Sequence, residues 1–169
     1  MPRRYRDLRE YIAFLESKGD LRRIAAPVTW DLEITEIADR VVKQGGPALL
    51  FENVAGSTAP VFINMFGARQ RMAWALGVED IEEIPQRVRE LLGMMQGAPQ
   101  GIRAKMSTLG ELAHLASFQP KTVRSGPCQE VVLTGQEVDL FRLPILKCWP
   151  LDAGRFITLP LVITNNPAT

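Results

Sequence analysis

The sequence of 169 residues holds a single histidine, His114, and only two cysteines, Cys128 and Cys148. A zinc site built from several histidines is therefore excluded for this chain alone. The cysteines stand twenty residues apart, a separation that matches no paired metal-ligand spacing, so two buried, reduced thiols are the expectation. Charge of one sign is also missing. Twenty Lys and Arg against nineteen Asp and Glu leave a net charge of +1, which offers no field to gather nucleic acid or anionic lipid. The opening MPRRYRDLR is locally basic, but acidic residues follow at once. No apolar stretch approaches the roughly 18 residues of a membrane span, and none resembles the apolar part of a secretory leader. The expected address is the cytoplasm, where a disulfide would be out of place.

What is present suits a folded domain. A hydrophobic share of 46% with 23% charged residues can bury a core, and the length allows one domain or one domain with part of another. Asp7 and Glu10 read as a capping pair for a first helix with Leu8, Tyr11, Ile12 and Leu15 on one face, ended by Gly19. Leu21 to Val28 reads as extended. Asp31 is placed to cap a second helix carrying Ile34, Ile37, Ala38 and Val41 and stopping at Gly45-Gly46. Two short strands follow, Ala48 to Phe51 and Pro60 to Asn64, and then helices over Arg69 to Leu76 and around Ile84, Val88, Leu91 and Leu92. Pro85 fits only the first turn of the latter. Thr108 and Glu111 form a capping box for a fifth helix.

After Phe118 helical periodicity ends. Glu130 to Thr134 reads as a strand, Gly135-Gln136 as a turn, and Phe156 to Thr164 as a strand buried on both faces. The expected organisation is an α/β domain over residues 1–118, with a β-rich region opening over 119–169.

Residues suited to chemistry are few. Gly45-Gly46-Pro47 lacks the lysine and spacing of a phosphate loop, and no glycine triplet matches a dinucleotide fingerprint. His114 lies in a leucine-rich helix, where a hydrogen-bonded structural histidine is expected. Glu33, Glu36 and Asp39, with Arg40 and Lys43 nearby, read as a solvated charged face rather than an acid/base pair. Asn64, Met65, Phe66 and Gly67 either line a pocket or form a strand-ending turn. Arg142 and Arg155 each interrupt an apolar stretch, where a charge needs a partner; an anion site and an ion pair with Asp139 or Asp152 both stay open.

Several blocks together resemble one family. They are LEITEIADR (Leu32 to Arg40), GGPALLFENV (Gly45 to Val54), N-x-F-G at Asn64 to Gly67, ALGVED (Ala75 to Asp80) and VDLFRLPILKCWPLDAGRFIT (Val138 to Thr158). In this order they are similar to the N-terminal region of UbiD-type carboxy-lyases. The resemblance implies a small N-terminal α/β domain followed by the first strands of a split β-barrel of flavin-reductase type. It also implies reversible non-oxidative decarboxylation of an aromatic or α,β-unsaturated acid, in ubiquinone or menaquinone synthesis for some members. The cofactors it implies are prenylated FMN, Mn2+ and K+, and the full-length enzymes form homo-oligomers.

The family's metal and cofactor segment resembles D-P-x-T-G-x-x-N-x-G-x-Y-R, and Asn166 to Thr169, NPAT, align with its start only. No family catalytic, cofactor-binding or metal-binding residue can be carried onto this chain. Ile157 and Thr158, just ahead of that segment, either approach the active site or pack a strand. The chain alone is thus expected to be inactive and to hold none of these cofactors. The contrasting reading is a stand-alone interaction module or accessory subunit reusing the domain.

Overall fold

A computed structural model describes residues 5–96, 120, 122–157 and 159. The chain divides into two units, Met1–Ile81 with Asp139–Thr169, and Glu82–Val138. The second unit holds helix α4, Glu83–Gln96, with Pro85 in its first turn and an Arg87–Glu83 pair at 3.1 Å, and two 3-10 turns, Pro127–Gln129 and Gly135–Glu137. Glu130 to Thr134 form no strand. Four of these five residues are β-branched or leucine, but strand propensity is not enough without a partner to pair with. The helix expected after Thr108 lies outside the described residues.

The first unit is built on a three-stranded sheet, β1 (Leu21–Ile24), β2 (Ala48–Phe51) and β3 (Val61–Ile63), in the order β1-β2-β3. β1 and β2 are parallel and joined through α2 (Glu33–Lys43), while β2 and β3 are antiparallel. All four residues of β2 are buried, as befits an uninterrupted apolar strand covered on both faces. Leu49, Phe51, Val61 and Ile63 pack with Ile34, Ile37 and Val41 of α2. The alternate positions Ala48 and Phe62 pack with Tyr11, Phe14 and Leu15 of α1 (Leu8–Ser17) and Trp74 of α3 (Arg69–Ala75). The two-residue period of the strands therefore builds a three-layer α/β/α sandwich, in agreement with the expected fold class.

The ends of α1 and α2 follow local chemistry with one exception. The Asp7 carboxylate accepts from the Glu10 N–H at 2.9 Å, as the capping pair requires. Gly19 and Gly45 take φ of +71° and +66°, and each is followed by the paired backbone bonds of a Schellman ending, such as Asp20 N–H to Leu15 C=O at 2.9 Å. The exception is the start of α2, where Leu32 rather than Asp31 occupies the cap with φ 65° and no side-chain capping bond. Long-range pairing displaces the expected cap. The Leu32 N–H donates to Lys147 C=O at 3.1 Å and the Lys147 N–H to Trp30 C=O at 3.2 Å, and Glu33 reaches back to accept from the Thr29 N–H at 2.7 Å.

Candidate functional site

The punctuated segment from Asp139 onward is shaped by its own polar side chains. The Asp139 carboxylate accepts from the Phe141 N–H at 2.9 Å and turns the chain through Leu140–Arg142. The Asp152 carboxylate accepts from the Trp149 N–H at 2.8 Å, closing the turn that contains Pro150. The Phe156 N–H then returns to Leu146 C=O at 3.1 Å. This looped segment is tied to the sandwich through Lys147 and through Ser57, whose hydroxyl donates to Arg142 C=O at 3.3 Å.

Between this loop and β3 lies a groove of about 300 Å3, lined by Val61–Ile63, Leu143–Leu146, Cys148, Phe156 and Ile157. No charged side chain enters it, and its one polar side chain is the Cys148 thiol. Such a lining accepts apolar groups, but it has no charged side chain to transfer a proton or hold an anion. A smaller recess of about 210 Å3 is formed by Arg69, Gln70, Ala73, Glu79, Asp80 and Ile81. Polar residues there satisfy one another, with Arg69 to Asp80 at 3.4 Å and the Gln70 amide donating to Glu79 C=O at 3.1 Å.

Arg155 answers one question left open by the sequence. Its guanidinium carbon lies 3.1 Å from the centroid of the Trp30 ring and 5.2 Å from that of Phe141, so its partner is aromatic. Asp139 and Asp152 are committed to backbone N–H groups instead. Arg142 is exposed and meets Ser57 only through its carbonyl.

Asn64 forms the strand-ending turn, at φ 61°. Its amide donates to Gly46 C=O at 3.3 Å and Pro47 C=O at 2.8 Å. Gly67 packs so closely beneath it that a β-carbon there would overlap the Asn64 Oδ1. On α2, Glu36 pairs with Arg40 and Asp39 with Lys43, both at 2.6 Å, and the Asp39 hydrogen bond holds the Lys43 ammonium above its ordinary pKa. Cys148 is a free, half-buried thiol. His114 and Thr158 lie outside the described residues, as does the side chain of Cys128.

Sequence reading missed the most buried charge. Arg71 on α3 is 2% exposed and donates from one nitrogen to both Asp20 oxygens, at 2.8 and 3.0 Å, and from another to Gly46 C=O at 3.1 Å. The Tyr11 hydroxyl donates to Arg71 C=O at 2.9 Å, and its desolvation pushes the phenol pKa up to about 12. An arginine in RQRMAWA carries no local sign of burial, because its partner lies 51 positions away.

Residues 12–91 match the 3-octaprenyl-4-hydroxybenzoate carboxy-lyase N-terminal domain of the UbiD family, and residues 121–169 match that family's Rift-related domain. The chain belongs to the UbiD family of carboxy-lyases. Within the family it is 49% identical over 165 residues to an uncharacterized protein of Archaeoglobus fulgidus, spanning 98% of this chain and 33% of that protein. The vanillic acid decarboxylase of Sedimentibacter hydroxybenzoicus in open form shares 26% identity, with a TM-score of 0.66 over 92% of this chain and 30% of that one. A prFMN complex of an evolved dimeric HmfF, a UbiD-class enzyme of Pelotomaculum thermopropionicum, shares 32% identity over 53% of this chain and 20% of that one, with a TM-score of 0.42. The chain thus spans about a third of the length of the Archaeoglobus and Sedimentibacter relatives, and the UbiD match covers both sides of the groove.

Proposed function

We propose that the chain supplies the N-terminal region of a UbiD-type decarboxylase, which releases CO2 reversibly and without net oxidation from an aromatic or α,β-unsaturated carboxylic acid. The observation that carries this reading is the ordered match of two carboxy-lyase domains, over residues 12–91 and 121–169. A vanillate-like phenolic acid is the substrate type suggested by the Sedimentibacter relative, and quinone synthesis is the pathway suggested by the name of the matched domain. The setting is the cytoplasm; among the described residues no helix is long and apolar enough to cross a membrane.

In such an enzyme prenylated FMN, with Mn2+ and K+, would supply an electron sink when bound. The described residues do not fit that cofactor site. No group of three or more His, Cys, Asp or Glu among them could hold a metal ion, and the groove presents no cation to a flavin phosphate. The part assigned to this chain is architectural. In this proposal residues 119–169 are taken as the opening of the cofactor domain; within the described residues, Lys147 pairs with the sandwich through Trp30 and Leu32.

On this reading the chain alone is expected to be inactive. The test is to incubate purified chain with prenylated FMN, Mn2+, K+ and vanillic acid under anaerobic conditions and follow CO2 release. No release above the protein-free control is expected, and turnover by the chain alone overturns the proposal.

A further inference from the structure

Leu32 takes φ 65° and ψ −33°, and the Glu33 N–H donates across it to Asp31 C=O at 2.8 Å. These are the features of a γ-turn of the rare, strained hand, formed by a residue whose β-carbon disfavours positive φ. Nothing local calls for it. Asp31, one position earlier, belongs to the best class of helix caps, yet it is exposed and takes no part in capping α2. The relaxed alternative is an α2 begun one residue earlier, with Leu32 right-handed as its first helical residue and the Asp31 carboxylate accepting from the N–H groups of the first turn.

What holds the strained form is the segment 146–157. The Leu32 N–H donates to Lys147 C=O and the Lys147 N–H to Trp30 C=O, forming a parallel bridge at Asp31. Arg155 of the same segment stacks on the Trp30 ring, and Leu146 packs with Trp30 against the cluster under α2. Little else holds it, because Trp149, Leu151, Phe156 and Ile157 are exposed. Two backbone bonds, one stacked cation and one half-buried leucine are thus set against a strained turn and an unused cap. A region with few buried contacts is where local opening occurs at the least free-energy cost. Leu146, Cys148, Phe156 and Ile157 of this segment also line the apolar groove beside β3, so its departure removes part of the groove wall.

We propose that residues 146–157 form a releasable strap coupled to the start of α2. With the strap docked, Lys147 holds Leu32 left-handed and the groove is walled. With the strap released, Leu32 turns right-handed, Asp31 caps α2 and the groove opens. The two starts of α2 are the two states of one device, which acts whether or not the chain takes part in decarboxylation.

The test reads both ends of the coupling in the 169-residue chain carrying Cys128→Ser. Hydrogen exchange of the Lys147 and Leu32 amides reports the bridge, and the rate of Cys148 alkylation by iodoacetamide reports the groove wall. Exchange of β2 amides and circular dichroism monitor the sandwich. Leu32→Gly relieves the left-handed strain, and Leu32→Ala controls for the lost side chain. Relative to Leu32→Ala, Leu32→Gly is expected to slow both bridge exchange and alkylation by roughly fivefold or more. Asp31→Ala removes the cap of the released state and is expected to slow both by about threefold, the reverse of what loss of an ordinary helix cap does. Lys147→Pro, which deletes the N–H donated to Trp30, is expected to speed alkylation while β2 amides keep their protection.

Equal rates in Leu32→Gly and Leu32→Ala overturn the proposal, as does bridge exchange in Asp31→Ala that is unchanged or faster. Alkylation that fails to follow the bridge amides through the series removes the coupling and overturns it as well. Loss of β2 protection in step with the bridge shows that opening is global unfolding, and no strap exists.

Discussion

The sandwich formed by residues 5–81 and the loop formed by 139–157 belong to one unit yet are held in opposite ways. In the sandwich, apolar side chains from alternate strand positions fill two clusters, one under α2 and one under α1 and α3. In the loop, Leu140, Phe141, Trp149 and Leu151 face solvent, while carboxylates, backbone bonds and one stacked arginine set the path. The sandwich is stabilised by burial and the loop by directional contacts. A region of the second kind leaves large apolar side chains exposed.

The sharpest way to separate the two is to damage each in turn. Replacing Asp20 with Ala strands the Arg71 guanidinium, 2% exposed, without its carboxylate, and loss of one partner of a buried pair costs about 3–5 kcal/mol. Thermal unfolding followed by circular dichroism is expected to shift down by many degrees or lose cooperativity. Phe51→Ala, at a fully buried β2 position, belongs to the same class at about 3–5 kcal/mol. A small shift for both would mean that the sandwich is not the stabilising body.

Arg155→Ala tests the loop. Its contact with Trp30 and Phe141 is worth about 0.5–2 kcal/mol, so the melting curve is expected to move little. Hydrogen exchange should respond much more, with the Lys147 and Phe156 amides, bonded to Trp30 and Leu146, losing protection while β2 amides keep theirs. Equal loss in both regions would erase the distinction.

The same contrast explains what could be read from sequence. Helices α1 and α2, strand β2 and the glycine endings are local: Asp7 caps three residues ahead, and Gly19 and Gly45 adopt positive φ where L-residues are disfavoured. The start of α2 was not legible, because Leu32 takes its place through Lys147, far along the chain. Nor was the partner of Arg155, since nothing near it in sequence indicates Trp30. The groove was invisible for the same reason, its two walls lying some eighty positions apart. Family resemblance named the blocks that build it without indicating that they meet.

Among smaller effects, Asp7→Ala removes the bond to the Glu10 N–H and should cost about 1 kcal/mol, read as a modest fall in melting temperature.

The smallest effect is confined to high pH and concerns Tyr11, whose hydroxyl donates to Met65 C=O at 3.3 Å and to Arg71 C=O at 2.9 Å. Burial favours the neutral phenol and raises its pKa from 10.0 to about 12. Because the folded value lies above the unfolded one, the stability linked to this proton is fully present below pH 10 and is lost as pH rises toward 12. Tyr11→Phe removes the titrating group and the bonds to Met65 and Arg71 together. It should lower stability at neutral pH and flatten the decline between pH 10 and 12, and difference absorbance should then lack a late-titrating phenolate. A decline of unchanged steepness in Tyr11→Phe would place the alkaline sensitivity elsewhere, outside the α1–α3 side of the sandwich.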